Sequence, residues 1–279
     1  MSGPGGAGWR ALGLTAAMPL LALACGGGGQ PASPAKASPQ EAMEMQPGAE
    51  SMKVAISSPA SGTRVTANQV TLQLSLNGFQ PSCEAAGKPN QQGFGHYHVE
   101  LDKSLVNMFC TPQAVISMQN VKPGMHTLTV LPAQNDHAEV EKNAQSITID
   151  YEPAQALPQL TAATAAAKPS IKIASPAAGS KLSGAFDVTV DVGNFNLSCD
   201  LMGKPDVSGY GHWHLNFDSD TGPMMGMMTM AGMSCEKTLH ATTQGLKPGK
   251  HTLIALLTDN GHAPFKPNIA DRVDVTVAG

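Results

Sequence analysis

Two stretches decide how this chain folds: GFGHYHVELD, from Gly93 to Asp102, and GYGHWHLNFD, from Gly209 to Asp218. In each, bulky apolar residues alternate with polar ones, the period of a strand with one buried face. Tyr97, Val99 and Leu101 fall on one side, and His96, His98, Glu100 and Asp102 on the other. The second copy repeats the division, with Trp213, Leu215 and Phe217 opposed to His212, His214, Asn216 and Asp218. The apolar side must face a core, so the paired histidines are expected to face outward.

Working outward, the flanking sequence matches in the same order in both halves. Ile56-Ser57-Ser58-Pro59 with Gly62 corresponds to Ile173-Ala174-Ser175-Pro176 with Gly179. Cys83 and Gly87-Lys88-Pro89 correspond to Cys199 and Gly203-Lys204-Pro205. Beyond the central strand, Cys110 matches Cys235, Lys122-Pro123-Gly124 with His126-Thr127-Leu128 matches Lys247-Pro248-Gly249 with His251-Thr252-Leu253, and His137-Ala138 matches His262-Ala263. The chain is therefore a duplication, read as one repeat over 53–153 and another over 170–279, joined by an Ala/Pro/Thr-rich linker over 154–169.

Short alternating runs, Val70 to Leu76, His96 to Leu101, Thr127 to Val130 and Ser146 to Ile149, predict strands in the first repeat, with counterparts in the second. The 29 Gly and 21 Pro leave little room for long helices. The fold class is all-β: two tandem seven-stranded sandwiches. The SPASG opening and the KPGxHTL strand resemble bacterial immunoglobulin-like and fibronectin-like modules, in which the strand holding the histidine pair runs antiparallel to the strand after the PG turn.

At the GHxHLxxD strand and the KPGKHTL strand both repeats resemble the bacterial family called domain of unknown function 4399. The resemblance covers most of each repeat. Tyr97 and Trp213 stand where that family has a middle histidine, which leaves the same-face pair intact. The resemblance supports the fold and the motif boundaries and implies no particular activity.

With a net charge of -4 the chain offers no basic surface for gathering phosphates, so nucleic acid is not an expected partner. The N-terminus points to export. Arg10 precedes an apolar run of about fourteen residues, Ala11 to Ala24, the length of a signal-peptide core. It ends in Leu21-Ala22-Leu23-Ala24-Cys25, which resembles the lipobox of bacterial lipoproteins. Residues 1–24 are read as a signal peptide and Cys25 as the lipidated residue, with 25–52 a disordered tether to the membrane of a bacterial cell envelope. Cys25 accounts for the odd cysteine. The other four pair within repeats, Cys83 with Cys110 and Cys199 with Cys235, as an oxidising compartment allows.

Antiparallel pairing brings the loop after the PG-turn strand to the histidine pair. This predicts two trios, His96, His98 and His137, then His212, His214 and His262. His126 and His251 lie about 15 Å away along their strand and are read as structural, at the place of a corner tyrosine; His240 is read as incidental. Neutral imidazoles suit copper or, alternatively, zinc. Met108 and Met233, each two residues before a cysteine, and Met230 in a run with Met224, Met225, Met227 and Met228, are additional soft ligands that favour copper. A calcium-loop opening at Asp218-Ser219-Asp220-Thr221-Gly222 has no match in the first repeat.

Catalysis is not expected. The resemblance of the HxH strand to copper/zinc superoxide dismutase lacks a bridging histidine and a zinc loop, and no hydrolase nucleophile motif occurs in the folded region. Two functions remain: a metal-handling envelope lipoprotein, with a metal donor or another envelope protein as partner, and a metal-free structural or interaction module.

Overall fold

The computed structural model describes residues 45–279 except Ala166. The signal peptide, Cys25 and the tether through residue 44 lie outside the described residues, as do the side chains of Met224 and Met225. Nine strands belong to the first repeat: β1 (Lys53–Ser58), β2 (Thr63–Val65), β3 (Gln69–Asn77), β4 (Gln80–Pro81), β5 (Phe94–Leu101), β6 (Ser104–Phe109), β7 (Gln113–Ser117), β8 (Gly124–Ala133) and β9 (Gln145–Tyr151). Nine more repeat the order: β10 (Ser170–Ser175), β11 (Lys181–Leu182), β12 (Ala185–Gly193), β13 (Asn196–Leu197), β14 (Tyr210–Phe217), β15 (Met230–Ser234), β16 (Thr238–Thr242), β17 (Gly249–Thr258) and β18 (Ala270–Val277).

Each repeat is an immunoglobulin-like sandwich. In the first, β1-β3-β7 form one sheet, and β2-β9-β8-β5 form the other, with both β4 and β6 on β5. The second has β10-β12-β16 against β11-β18-β17-β14, with β13 and β15 on β14. Seven strands per repeat have five or more residues, and two short ones extend the edges. No sheet mixes strands of the two repeats.

Alternation sets which side chains enter the core. Val70, Leu72 and Leu74 of β3 meet Tyr97, Val99 and Leu101 of β5 in one core, and Val188 and Val190 meet Trp213, Leu215 and Phe217 in the other. The Tyr97 hydroxyl donates to the Thr111 carbonyl and the Trp213 indole to that of Glu236, so each large ring is polar-satisfied where it reaches the sheet margin. The expected disulfides are formed, with Cα–Cα distances of 5.5 Å for Cys83–Cys110 and 5.1 Å for Cys199–Cys235.

Two connecting segments are more ordered than their composition predicts. The stretch read as tether is packed from its last residues: Ala49 and Met52 are buried against Val140 and Phe79, two apolar anchors that compensate the cost of ordering. The linker is pinned as well, since Gln119 and Asn120 donate to the carbonyls of Pro158 and Leu160, and the Ala163 N–H donates to Ser208.

Candidate metal centre

The strand carrying the histidine pair runs antiparallel to its neighbour, as expected, with His96 opposite Ala133 and His98 opposite Leu131; in the second repeat His212 faces Thr258 and His214 faces Leu256. The loop after β8 therefore returns above the start of β5. His137 sits in it with φ 66°, and His262 repeats this at φ 68°. Left-handed backbone is unfavourable for a residue with a Cβ and is retained at sites where the surroundings over-determine it.

Each trio converges. His96 Nε2 lies 3.1 Å from His98 Nε2 and 3.0 Å from His137 Nδ1, and the last two are 3.3 Å apart. The second trio has 3.0, 2.8 and 3.4 Å between His212 Nε2, His214 Nε2 and His262 Nδ1. An ion about 2.0 Å from each of three such nitrogens would stand about 1 Å above their plane, with N–metal–N angles near 100°, close to three corners of a tetrahedron. Each trio can hold a metal ion.

The expectation that the pairs face solvent is corrected. All six histidines are at most 3% exposed. They do point away from the core of their own sandwich, but the other sandwich covers them. His137 Nε2 donates to the Met230 carbonyl on β15, and His262 Nε2 donates to the Leu105 carbonyl on β6, both at 2.8 Å. The arrangement is reciprocal, because Met230 and Leu105 occupy matching places, each three residues before Met233 or Met108. Alternation distinguishes the core face from the opposite face; it says nothing about a second body that covers the latter.

These bonds decide which nitrogens are free. With Nε2–H of His137 donating to a carbonyl, its Nδ1 presents a lone pair to the trio. His98 Nδ1 donates to Glu139 Oε1 at 2.6 Å, so its Nε2 also presents a lone pair. With His98 in its neutral form, two lone pairs face each other at 3.3 Å, and the single proton of neutral His96 Nε2 can serve only one of them. A cation at the centre satisfies all three. In the second repeat Pro264 stands where the first has Glu139, so His214 has no carboxylate behind it. Glu139 was not identified from the sequence, and its mismatch with Pro264 gave no signal.

Electrostatics keep five of the six trio histidines neutral. Burial, then the neighbouring imidazoles, hold His96, His212 and His214 well below the ordinary histidine value. Burial and His98 bring His137 down to about 3. Burial brings His262 to about 4 against the raising effect of the Leu105 bond, with His98 of the other repeat also lowering it. His137 likewise lowers His214, so the two trios feel one another across the interface. Neutral imidazole is the form that ligates a metal.

The methionines lie beside the histidines. Met108 pairs with His98 across β6–β5, and Met233 with His214 across β15–β14, each on the histidine face. Met230 is fully buried with Met202 and Met233, and Met108 and Met227 pack against them. Met202 was not identified from the sequence. The turns at Gly87 (φ 69°) and Gly203 (φ 72°) permit this approach: a Cβ on Gly87 would meet the Met230 carbonyl oxygen at 2.5 Å, and one on Gly203 that of Leu105 at 2.6 Å.

The remaining groups are structural. His126 bridges Asp102 at 2.6 Å and the Lys122 carbonyl at 2.8 Å, and His251 bridges Asp218 at 2.7 Å and the Lys247 carbonyl at 2.8 Å. Burial lowers the His251 pKa, but these two partners outweigh it and raise it. His240 is exposed and pairs with Asp187. The calcium-loop resemblance is not supported: Asp218 receives the Thr252 N–H and Asp220 pairs with Arg272 at 2.6 Å. Among the described residues no helix is long and apolar enough to cross a membrane.

Residues 188–278, which hold the second trio, match the family described as Domain of unknown function (DUF4399). The resemblance read from GHWHL and KPGKHTL is thereby confirmed for the second repeat. No curated protein matches the chain. Among solved structures, it is similar to the fibronectin(III)-like modules of Clostridium thermocellum CbhA, at 13% identity over 81% of this chain and 94% of that one, with a TM-score of 0.25. It is also similar to the N-terminal four Ig domains of Dscam1 isoform 4.44, at 9% identity over 82% and 46%, with a TM-score of 0.22. At these scores the sandwich assignment rests on the sheets themselves.

Proposed function

We propose that this protein is a non-catalytic metal-binding lipoprotein of the bacterial cell envelope, anchored through Cys25 and taking copper at both histidine trios. The observation that carries the metal reading is the convergence of three buried ring nitrogens, with His98 Nε2 and His137 Nδ1 held 3.3 Å apart. With both imidazoles neutral that contact is repulsive unless a cation lies between them. Copper is favoured over zinc by the thioethers of Met108 and Met233 next to the trios, since soft sulfur with imidazole suits Cu(I). Two disulfides fit an oxidising compartment and a role outside the cytoplasm.

The test is titration of the purified protein with Cu(I), Cu(II) and Zn(II), alongside a variant carrying His96→Ala, His98→Ala, His212→Ala and His214→Ala. Sub-micromolar binding that the variant loses supports the reading. Binding no tighter than that of scattered surface histidines, and equal in both proteins, returns the chain to a metal-free interaction module.

A further inference from the structure

The trios are sealed, so a metal must reach them by some route. Between the repeats lies a cleft of about 300 Å³ whose lining includes Met108, Met233, Lys88, Gly232 and Thr242. It opens between β6 of one sandwich and β15–β16 of the other, and both thioethers belong to its wall. Behind them are Met202 and Met230, with Met227 alongside.

Methionine is used selectively in this protein. The core of the second sandwich is formed of aliphatic and aromatic side chains with no methionine, and that of the first includes Met118 alone. At the interface the named members of the cluster are all methionine except Cys235, which is committed to its disulfide. If the interface needed only apolar volume, leucine or valine would serve as in the cores, with better-defined rotamers. Each cleft thioether is also the cross-strand neighbour of a trio histidine, Met108 of His98 and Met233 of His214.

We propose that Met108 and Met233, backed by Met202 and Met230, form a third metal site, specific for Cu(I), at the wall of the interdomain cleft. It captures Cu(I) from solution or from a donor and passes it to either trio. The transfer is ligand exchange without redox change: thioether–copper bonds break as imidazole–copper bonds form, and the ion stays Cu(I). Lys88 lies at the same cleft with its ammonium turned to the carbonyls of Glu84 and Thr242, at 2.6 and 2.8 Å, and the side chains of Glu84, Asn107 and His240 share the lining with the two thioethers. The hand-over rests on the trios being copper sites; the thioether site stands independently of it.

The experiment is an anaerobic Cu(I) titration of the purified protein against a chromophoric Cu(I) chelator, with a parallel Zn(II) titration and X-ray absorption at the copper edge. The native protein should take one Cu(I) beyond its Zn(II) capacity and show sulfur scattering. A Met108→Leu/Met233→Leu variant, close in volume, should lose the extra Cu(I) and the sulfur signal while its Zn(II) capacity is unchanged. If that variant keeps both, the thioether site is refuted and the trios stand. If the native protein takes up no Zn(II) but binds Cu(I) with sulfur scattering that the variant loses, the trio reading fails and the thioether site survives. Should the double variant lose Zn(II) as well, the single variants decide: the site holds only if each alone lowers Cu(I) uptake and leaves Zn(II) uptake intact.

Discussion

Each trio is completed by a carbonyl from the opposite sandwich, and Gly87→Ala tests this without touching a ligand. The new Cβ would lie 2.5 Å from the Met230 carbonyl oxygen. Restoring ordinary contact at about 3.5 Å requires the Met230 peptide to retreat by about 1 Å. The bond it accepts from His137 Nε2 is 2.8 Å long, and the same shift carries it beyond hydrogen-bond range. His137 then loses the partner that fixes its tautomer and ring orientation. Removal of such an outer partner typically lowers metal affinity by about 10- to 100-fold, equivalent to about 1.4 to 2.7 kcal/mol. Alanine at a left-handed φ adds about 1 kcal/mol of destabilisation to the fold. Isothermal titration with Zn(II) should therefore resolve one weakened site and one near-native site, and Gly203→Ala should weaken the other. A Gly87→Ala protein whose first trio, isolated by deleting the second trio's histidines, binds with native affinity would refute the reciprocal cap.

Three further outcomes follow from the same geometry. Glu139→Gln should weaken the first trio about tenfold and leave the second unaffected, because Pro264 already stands at the equivalent place; equal loss at both would contradict the assignment. Metal-free protein should lose stability on acidification. His137 and His262 titrate near 3 and 4 when folded against 6.5 when unfolded, so the unfolded chain binds more protons between those limits. Their contribution is full above about pH 6.5 and declines from there toward pH 3, which thermal melts at a series of pH values would register, and a flat melting temperature between pH 7 and 4 would disprove. Replacing Cys83 and Cys110 together by Ser opens a loop with a separation of 27 residues and should cost about 3.5 kcal/mol in denaturant unfolding, provided the released thiols form no other bond.

Much of the site was legible because it rests on two periodicities that local sequence records directly. Alternation in GHYHVEL and GHWHLNF places two histidines on one strand face whatever the rest of the chain does. The duplication then locates the third, since His137 and His262 recur at the same distance after a PG turn and antiparallel pairing returns that loop to the strand start. The disulfides followed from the same repetition. Glu139, present in one repeat only, had no pattern to betray it. The hydrogen-bond acceptors of His137 and His262, at Met230 and Leu105, are backbone carbonyls, which every residue has, so no side chain marks them.

By itself, then, the sequence determined two like sandwiches, their cysteine pairs and two convergent histidine trios, because each depends on strand period and pairing within one repeat. How the repeats dock was decided only by the tertiary structure. Docking turns histidines expected to face solvent into sealed ones, fixes the tautomer of one histidine in each trio from the neighbouring sandwich, and gathers methionines separated by more than a hundred residues into one cleft. The physical reason is that the surface opposite a sandwich core obeys no periodicity of its own: whether it meets water or protein depends on shape, and here on glycines at 87 and 203 that let two backbones come within reach of each other.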